Sequence, residues 1–349
     1  MPSAASWPSD IRMEEKDMNW FDDSIMARKG VARGKAGETY AITEESQGKY
    51  HYVYGAFVDP ILRVDPGSVV SAETHDAFEG AIQHETDKPS EILNFPYLNP
   101  QNGPIWVNGA EKGDTLAVYI ESIVPRGPQP CGTTVIMPEF GGLVPTHDTA
   151  LLTAPLPERV KKLNVDPVTG VKWNDRITLP YEPFIGTIGT APEIEAISSL
   201  VPDYYGGNMD LPDIGPGAVI YLPVNTKGAY LYLGDCHAAQ GDGELCGVAI
   251  EHPTVTTLKI DLIKGWTIRT PRLENDKFFM TIGSARPMED ATRQAYRELI
   301  RWMAADFGFD EIDAYMLLTQ CGRVRLGNMV DPKYTVGASL LKTIAGSPA

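Results

Sequence analysis

At 349 residues, with 43% hydrophobic and 22% charged side chains, the chain has material for a large core, in one big domain or two closely joined ones. A net charge of −16 argues against nucleic acid or an anionic membrane as partner, and no apolar run approaches the ~20 residues needed to span a bilayer. Four cysteines (Cys131, Cys236, Cys246 and Cys321) form no CxxC and make no disulfide framework in a chain this long, so they read as reduced core thiols.

Residues 1–50 are polar and mixed and read as an N-terminal arm, with Trp7 and Trp20 as lone anchors. The opening MPSAASWPSDIRMEEKD has no basic-then-apolar signal pattern, so a cytoplasmic location is expected. From residue 51 the pattern turns to β. Asp65-Pro66-Gly67 marks a turn, and the strand from Ser68 to Thr74 leads into a polar group of His75, Asp76 and Glu79. That group supplies either ligands or a solvated loop. Two runs, Pro104–Val107 and Thr115–Ile123, flank Gly109–Gly113 and read as a hairpin. Residues 125–150 are rich in Pro and Gly and too long for a simple connection, as is usual for loops that line a site or a subunit contact.

After 150 comes a connector with many Pro and Lys residues. Then ITLPYEPFIGTIGTAPE (177–193) offers glycines for close backbone approach, but no GxGxxG and no following helix, which argues against a nucleotide site. The segment 203–217 holds Gly206-Gly207-Asn208-Met209-Asp210, a turn with an amide and a carboxylate. Between two plain strands, 218–224 and 255–263, lies LYLGDCHAAQGDGELCGVAIE (231–251), which contains Asp235, His237, Gln240, Asp242, Glu244 and Glu251. Polar groups set among core strands must be paired, bound to a metal, or at work. In a strand, alternate side chains share a face, so Asp235 and His237 point together and Cys236 points away. A carboxylate and an imidazole on one face, with a Gly-rich turn returning Asp242 or Glu244, form a plausible mixed O/N site for Zn²⁺, Mn²⁺, Fe²⁺ or Ca²⁺. The alternative is a hydrogen-bonded turn whose acids face water.

The tail carries two helices. Ala291, Ala295, Leu299 and Met303 recur at four-residue steps from Met288 to Phe307, with Gly308 as the stop. Asp310 can cap a second helix through Leu318, with Gly322 at its end.

Taken together, GDCHAAQGDGELCGVAIE (234–251), GGNMD (206–210), THDAFEGAI (74–82), NGPIWVNGAEKGDTLAV (102–118), PFIGTIGTAPE (183–193) and AYMLLTQCGRVRLGNMVDP (314–332) resemble the acetamidase/formamidase family. They follow the family's order and cover most of residues 51–345. The resemblance implies a mainly β fold, a sandwich-like core with a smaller α+β portion. It also implies a homo-oligomer and metal-dependent cleavage of small linear amides. The N-terminal fifty residues and the 125–176 region depart from the family pattern, which leaves the substrate open.

On that resemblance, we assign Asp76, Asp235 and His237 to a divalent metal, Zn first and Ca, Mn or Fe as alternatives, with Asp210 or Glu251 as a further ligand. Glu244 is assigned as general base, with Glu251 able to exchange roles with it. Asn208 and Gln240 are assigned to hold the substrate amide. A rival nucleophile, Cys236, lacks a nearby Lys, the closest being Lys227; a Ser nucleophile lacks a GxSxG elbow. From another class, a non-catalytic metal- or ligand-binding β protein or a cupin-like metal oxygenase is the alternative, although the second His that a cupin box needs is Ala239 here.

Overall fold

A computed structural model describes residues 24, 25, 29, 37–144 and 156–346, so the roles expected of Trp7 and Trp20 fall outside it. The fold is mainly β. A nine-stranded sheet runs, in spatial order, through Thr39–Ile42, Ser68–Glu73, Thr254–Ile263, Thr115–Pro125, Val219–Pro223, Arg272–Glu274, Phe278–Ala285, Tyr334–Leu341 and Arg323–Asn328. A five-stranded sheet lies in the order Gly206–Asn208, Phe184–Gly189, Leu231–His237, Gln101–Val107 and Leu62–Val64.

The largest apolar cluster joins the two sheets. It draws Val70, Leu116, Val118, Ile220, Leu258 and Ile260 from the larger and Ile105, Ile185, Ile188, Leu231 and Leu233 from the smaller. Two sheets closed over one core form a sandwich. The outer face of the large sheet is covered by helices Met288–Phe307 and Glu311–Cys321, whose Ala295, Leu299, Trp302 and Met303 pack on Ala117, Val219, Tyr221 and Leu340. Val219–Pro223 is therefore buried along its whole length, as its unbroken apolar sequence requires.

Both C-terminal helices form as their sequence signals direct. Gly308 ends the first in the left-handed region at φ 73°, where an L side chain is strained. Asp310 accepts from the N–H groups of Ile312 and Asp313 to open the second. That helix runs three residues beyond Leu318, and Gly322 ends it in an extended conformation.

Three expectations change. Pro104–Val107 and Thr115–Ile123 do not pair as a hairpin, because the first run lies in the five-stranded sheet and the second in the nine-stranded one. Each run is buried nearly throughout and needs its own layer, so the Gly109–Gly113 turn carries the chain between layers. The connector after 150 is partly a sheet. Arg159–Asp166 and Gly170–Lys172 pair with Cys131–Ile136 and Thr178–Leu179 in a four-stranded sheet, and the Lys side chains of its wetter face hid the buried Val160, Leu163 and Val165. The N-terminal segment also contributes directly, since Thr39–Ile42 pairs in parallel with Ser68–Glu73.

Candidate active site

The site forms where the five-stranded sheet meets the four-stranded one. Glu251 joins them: it exchanges both backbone hydrogen bonds with Thr133 and bridges to His237. Asp235 and His237 end the strand Leu231–His237 on one face, with His237 Nε2 3.4 Å from Asp235 Oδ1 and 3.2 Å from Glu251 Oε2. Cys236 faces the sandwich core, its Sγ 3.5 Å from Thr256 Oγ1, and burial pushes its thiol up. The alternation read from sequence holds, and it removes Cys236 from the nucleophile candidates.

The tautomer of His237 is set by its neighbour. Gln240 donates both hydrogens of Nε2 to carbonyls, Asp210 O at 2.8 Å and Gly327 O at 3.0 Å. Its Oε1 must therefore face His237 Nδ1, 2.9 Å away, and an amide oxygen only accepts. Nδ1 thus donates, and Nε2 is turned toward the carboxylates. This is the arrangement by which an outer hydrogen bond orients an imidazole toward a cation.

Three buried atoms here have no hydrogen-bond partner: Asp210 Oδ1, His237 Nε2 and Glu251 Oε2. Ligand atoms of Asp235, His237 and Glu251 lie within 4.8 Å of one another, and so do those of Asp210, His237 and Glu244. Electrostatics follow from crowding. Burial, then repulsion from Asp331 and Asp235, holds the Asp210 carboxyl well above its ordinary range. Glu244 is raised by burial and by Asp210, Asp331 by burial and by Glu244, and Glu251 is pushed up to about 8 mainly by burial. Burial would lower the His237 imidazole, but Glu251 and Asp235 outweigh it and hold it well above 6.5. Asp235 is also penalised by burial, yet His237 and its hydrogen bonds keep it low. Five carboxyls around one imidazole leave an excess of negative charge that a buried site must neutralise by proton or cation. The donor set, oxygens with one imidazole nitrogen, fits a divalent metal.

The sequence assignments now sort by position. Asp210, Asp235, His237, Glu244 and Glu251 converge. Asp76 is set aside as a ligand: it appears in neither group of converging atoms, and its Oδ1 accepts from the N–H groups of Phe78 and Gly80 in its own loop. Asp242 is exposed and pairs with Arg325. Neither amide assigned to substrate is free. Gln240 is committed as described, and Asn208 accepts from Asn99 while donating to Asp331 Oδ2 at 2.8 Å. Gln240 orients the His237 ring, and Asn208 orients Asp331.

Four residues were missed. Asn99 and Thr187 each donate to Asp235 Oδ2, at 2.9 and 2.8 Å. Asn328 donates to the Asn208 carbonyl at 3.2 Å, and Asp331 is the buried acid beside Glu244. The last two lie in NMVDP, at the end of the 314–332 segment that carries part of the family resemblance.

The backbone is strained here. Asn99, Asp210, Asp235 and Glu244 all have φ between 46 and 56°, a region L residues rarely occupy. Such strain persists only where surrounding contacts over-determine it, and it concentrates at functional sites. Opposite Asp235 sits Gly186. A Cβ there would lie 2.7 Å from Asp235 O, 2.8 Å from Asp210 Oδ1 and 2.9 Å from Asp235 Oδ2. Gly186→Ala is therefore expected to destabilise by about 1–3 kcal/mol and to weaken metal uptake by at least about 10-fold. Urea unfolding and metal titration check both. An unchanged metal affinity would mean that the carboxylates at Gly186 hold no ion.

Comparison with known proteins agrees with this architecture. A family model described as the acetamidase/formamidase family matches residues 39–202 and 195–341. A crystal structure of an acetamidase from Yersinia enterocolitica is 56% identical. It covers 94% of this chain and 99% of that one, with a TM-score of 0.92. Acetamidase from Mycolicibacterium smegmatis is 30% identical over 258 residues, 58% of this chain and 63% of the relative. Formamidase from Methylophilus methylotrophus is 33% identical over 275 residues, 63% and 65% of the respective chains. The chain thus spans less than two thirds of the length of these curated relatives.

Proposed function

The chain belongs to the acetamidase/formamidase family, and from that premise we propose that it hydrolyses the C–N bond of a small linear amide with the aid of a divalent cation. The observation that carries the metal is the convergence of unpartnered buried atoms, Asp210 Oδ1, His237 Nε2 and Glu251 Oε2. His237, Asp235 and Glu251 would hold the ion, with Asp210 as a further ligand. A bound divalent ion supplies Lewis acidity, stabilising the charge that develops on water and on the amide oxygen. Zinc is the first choice for this mixture of imidazole and carboxylate, with calcium, manganese or iron as alternatives.

Glu244 is assigned as general base and then acid. It is the acid of the converging group that lines the neighbouring cavity. A carboxyl placed there can take a proton from water and pass it to the leaving nitrogen. Gln240 keeps the His237 ring oriented, while Asn99 and Thr187 hold Asp235. Self-association into a homo-oligomer draws support from exposed apolar side chains such as Phe57 and Phe95, 67% and 68% exposed. Light scattering on the purified protein tests it. No helix among the described residues is long and apolar enough to cross a membrane.

Metal analysis with an ammonia-release assay tests the activity. The crowded acids can also be tested without substrate. Without metal, the acids whose folded pKa is raised take up protons on folding, so stability falls as pH climbs from about 4.5, their unfolded range, toward about 8. His237 is also raised and contributes with the same sign. The lowered Asp235 acts only below its unfolded range. The gap in Tm between metal-loaded and chelator-treated protein is therefore expected to widen between about pH 5 and pH 8, read by calorimetry. A gap that stays flat would place no cation among these acids.

A further inference from the structure

Beside the converging acids lies a cavity of about 780 Å³, with Glu244 and Gln240 in its wall. Formamide and acetamide have three or four heavy atoms. At roughly 30 Å³ for each water-sized group they would fill at most about a sixth of it. The rest of the wall is largely apolar and includes Ile136, Phe140, Trp173, Leu179 and Ile250. A volume of this size lined by apolar side chains, with polar groups converging at one place, is the usual form of a site for a larger organic ligand.

The cavity is built, not merely left over. Gly142 donates its N–H to Leu245 O at 2.9 Å, and a Cβ on Gly141 would lie 2.9 Å from Cys246 O, so the loop bearing Phe140 is pinned against the loop bearing Glu244. The Phe140 ring lies so close over Gly247 that a side chain there would displace it. Trp173 opens the turn between Gly170–Lys172 and Thr178–Leu179, donating to Ile177 O at 3.0 Å, with Lys161 Nζ 4.9 Å over its ring. Apart from Ile250, the wall residues named here come from residues 136–179.

We propose that the substrate is an amide carrying an extended apolar substituent, of about the size of a benzyl or pentyl group, seated in this cavity while its carbonyl faces Glu244. The proposal rests on the amide-hydrolase reading. Water adds to the carbonyl carbon and the C–N bond breaks. Its electron pair leaves on nitrogen, which takes up a proton, so the products are a carboxylate and ammonia or an amine. The substituent sits on the acyl carbon or on nitrogen, and substrates of both kinds separate these.

The test compares kcat/KM of metal-loaded enzyme for acetamide, hexanamide, phenylacetamide and N-benzylformamide. At least one bulky amide is expected to exceed acetamide by at least about 30-fold, since each buried methylene contributes about 10-fold or more. Phe140→Ala and Trp173→Ala, which empty the wall, should each cost the bulky amide at least about 10-fold while acetamide changes less than about 3-fold. Ile136→Trp, which fills the space, should discriminate in the same direction. Binding of phenylacetate and benzylamine by calorimetry gives a readout free of turnover, and should weaken in parallel. Acetamide cleaved as well as every bulky amide, with no selective effect of the three variants, would overturn the pocket and leave the amide-hydrolase reading intact. No cleavage of any amide, with phenylacetate or benzylamine still bound through Phe140 and Trp173, would overturn the hydrolase reading and the proposed substrate together, leaving only an apolar binding site.

Discussion

Glu244→Gln is expected to lower kcat by about 10²–10⁴-fold, the usual contribution of a positioned acid–base group, with metal content unchanged. The substitution is nearly isosteric. Glu244 Oε1 accepts from the Ala249 N–H at 3.1 Å, and a Gln oxygen can keep that bond and so the loop. Burial and Asp210 already disfavour the charged form, so a neutral amide costs the fold little. What disappears is the ability to take a proton from water. The KM should move little, because the amide side chain keeps the shape of the cavity wall. Kinetics on zinc-loaded protein and elemental analysis separate the outcomes. If metal and activity vanish together, Glu244 is a ligand and Glu251 becomes the candidate base. Glu251→Gln is the reciprocal variant: Glu251 Oε2 lies 3.2 Å from His237 Nε2, and its loss should be felt first in metal affinity.

Local regularity accounts for how much could be read before the fold was known. The Asp235/His237 pair was legible because a strand pleat fixes which neighbours share a face, and a single bit of alternation excluded Cys236. The Met288–Phe307 helix was legible because its four-residue period and Gly308 agree. Asp76 stays outside the converging acids for a local reason that could have been seen. An Asp followed by Gly80 four residues on can close its own turn, and Phe78 and Gly80 consume its oxygen. Asn99, Thr187, Asn328 and Asp331 were not legible. They lie on three separate segments with no periodic signal, Asn328 and Asp331 sharing one, and only the sandwich brings them together. Gln240 and Asn208 were recognised as relevant, but an amide that orients a neighbouring side chain and one that orients a substrate look alike until both ends of the hydrogen bond are known.

Asp235→Asn is expected to leave a folded protein with less than about a tenth of the wild-type metal and activity down by at least about 10³-fold, because the donor and acceptor pattern inverts at one atom. In the wild type, Oδ2 accepts from Asn99 and Thr187, and Oδ1 faces His237. The two fixed donors oblige the Asn side chain to keep its oxygen where Oδ2 was, which turns its NH₂ toward His237 Nε2. A lone pair aimed at the ion is replaced by N–H, which cannot bind a cation. Residue 235 has φ 56°, and Asn tolerates that region as well as Asp does, so the backbone has no reason to move. Removing one negative charge also relieves Asp210 and Glu251, both raised in part by Asp235. Near pH 8 the wild type should gain Tm on adding metal, whereas Asp235→Asn should not. This pairing separates a metal ligand from a structural acid: a purely structural Asp235 would give a lower Tm in the variant under both conditions and the same metal content.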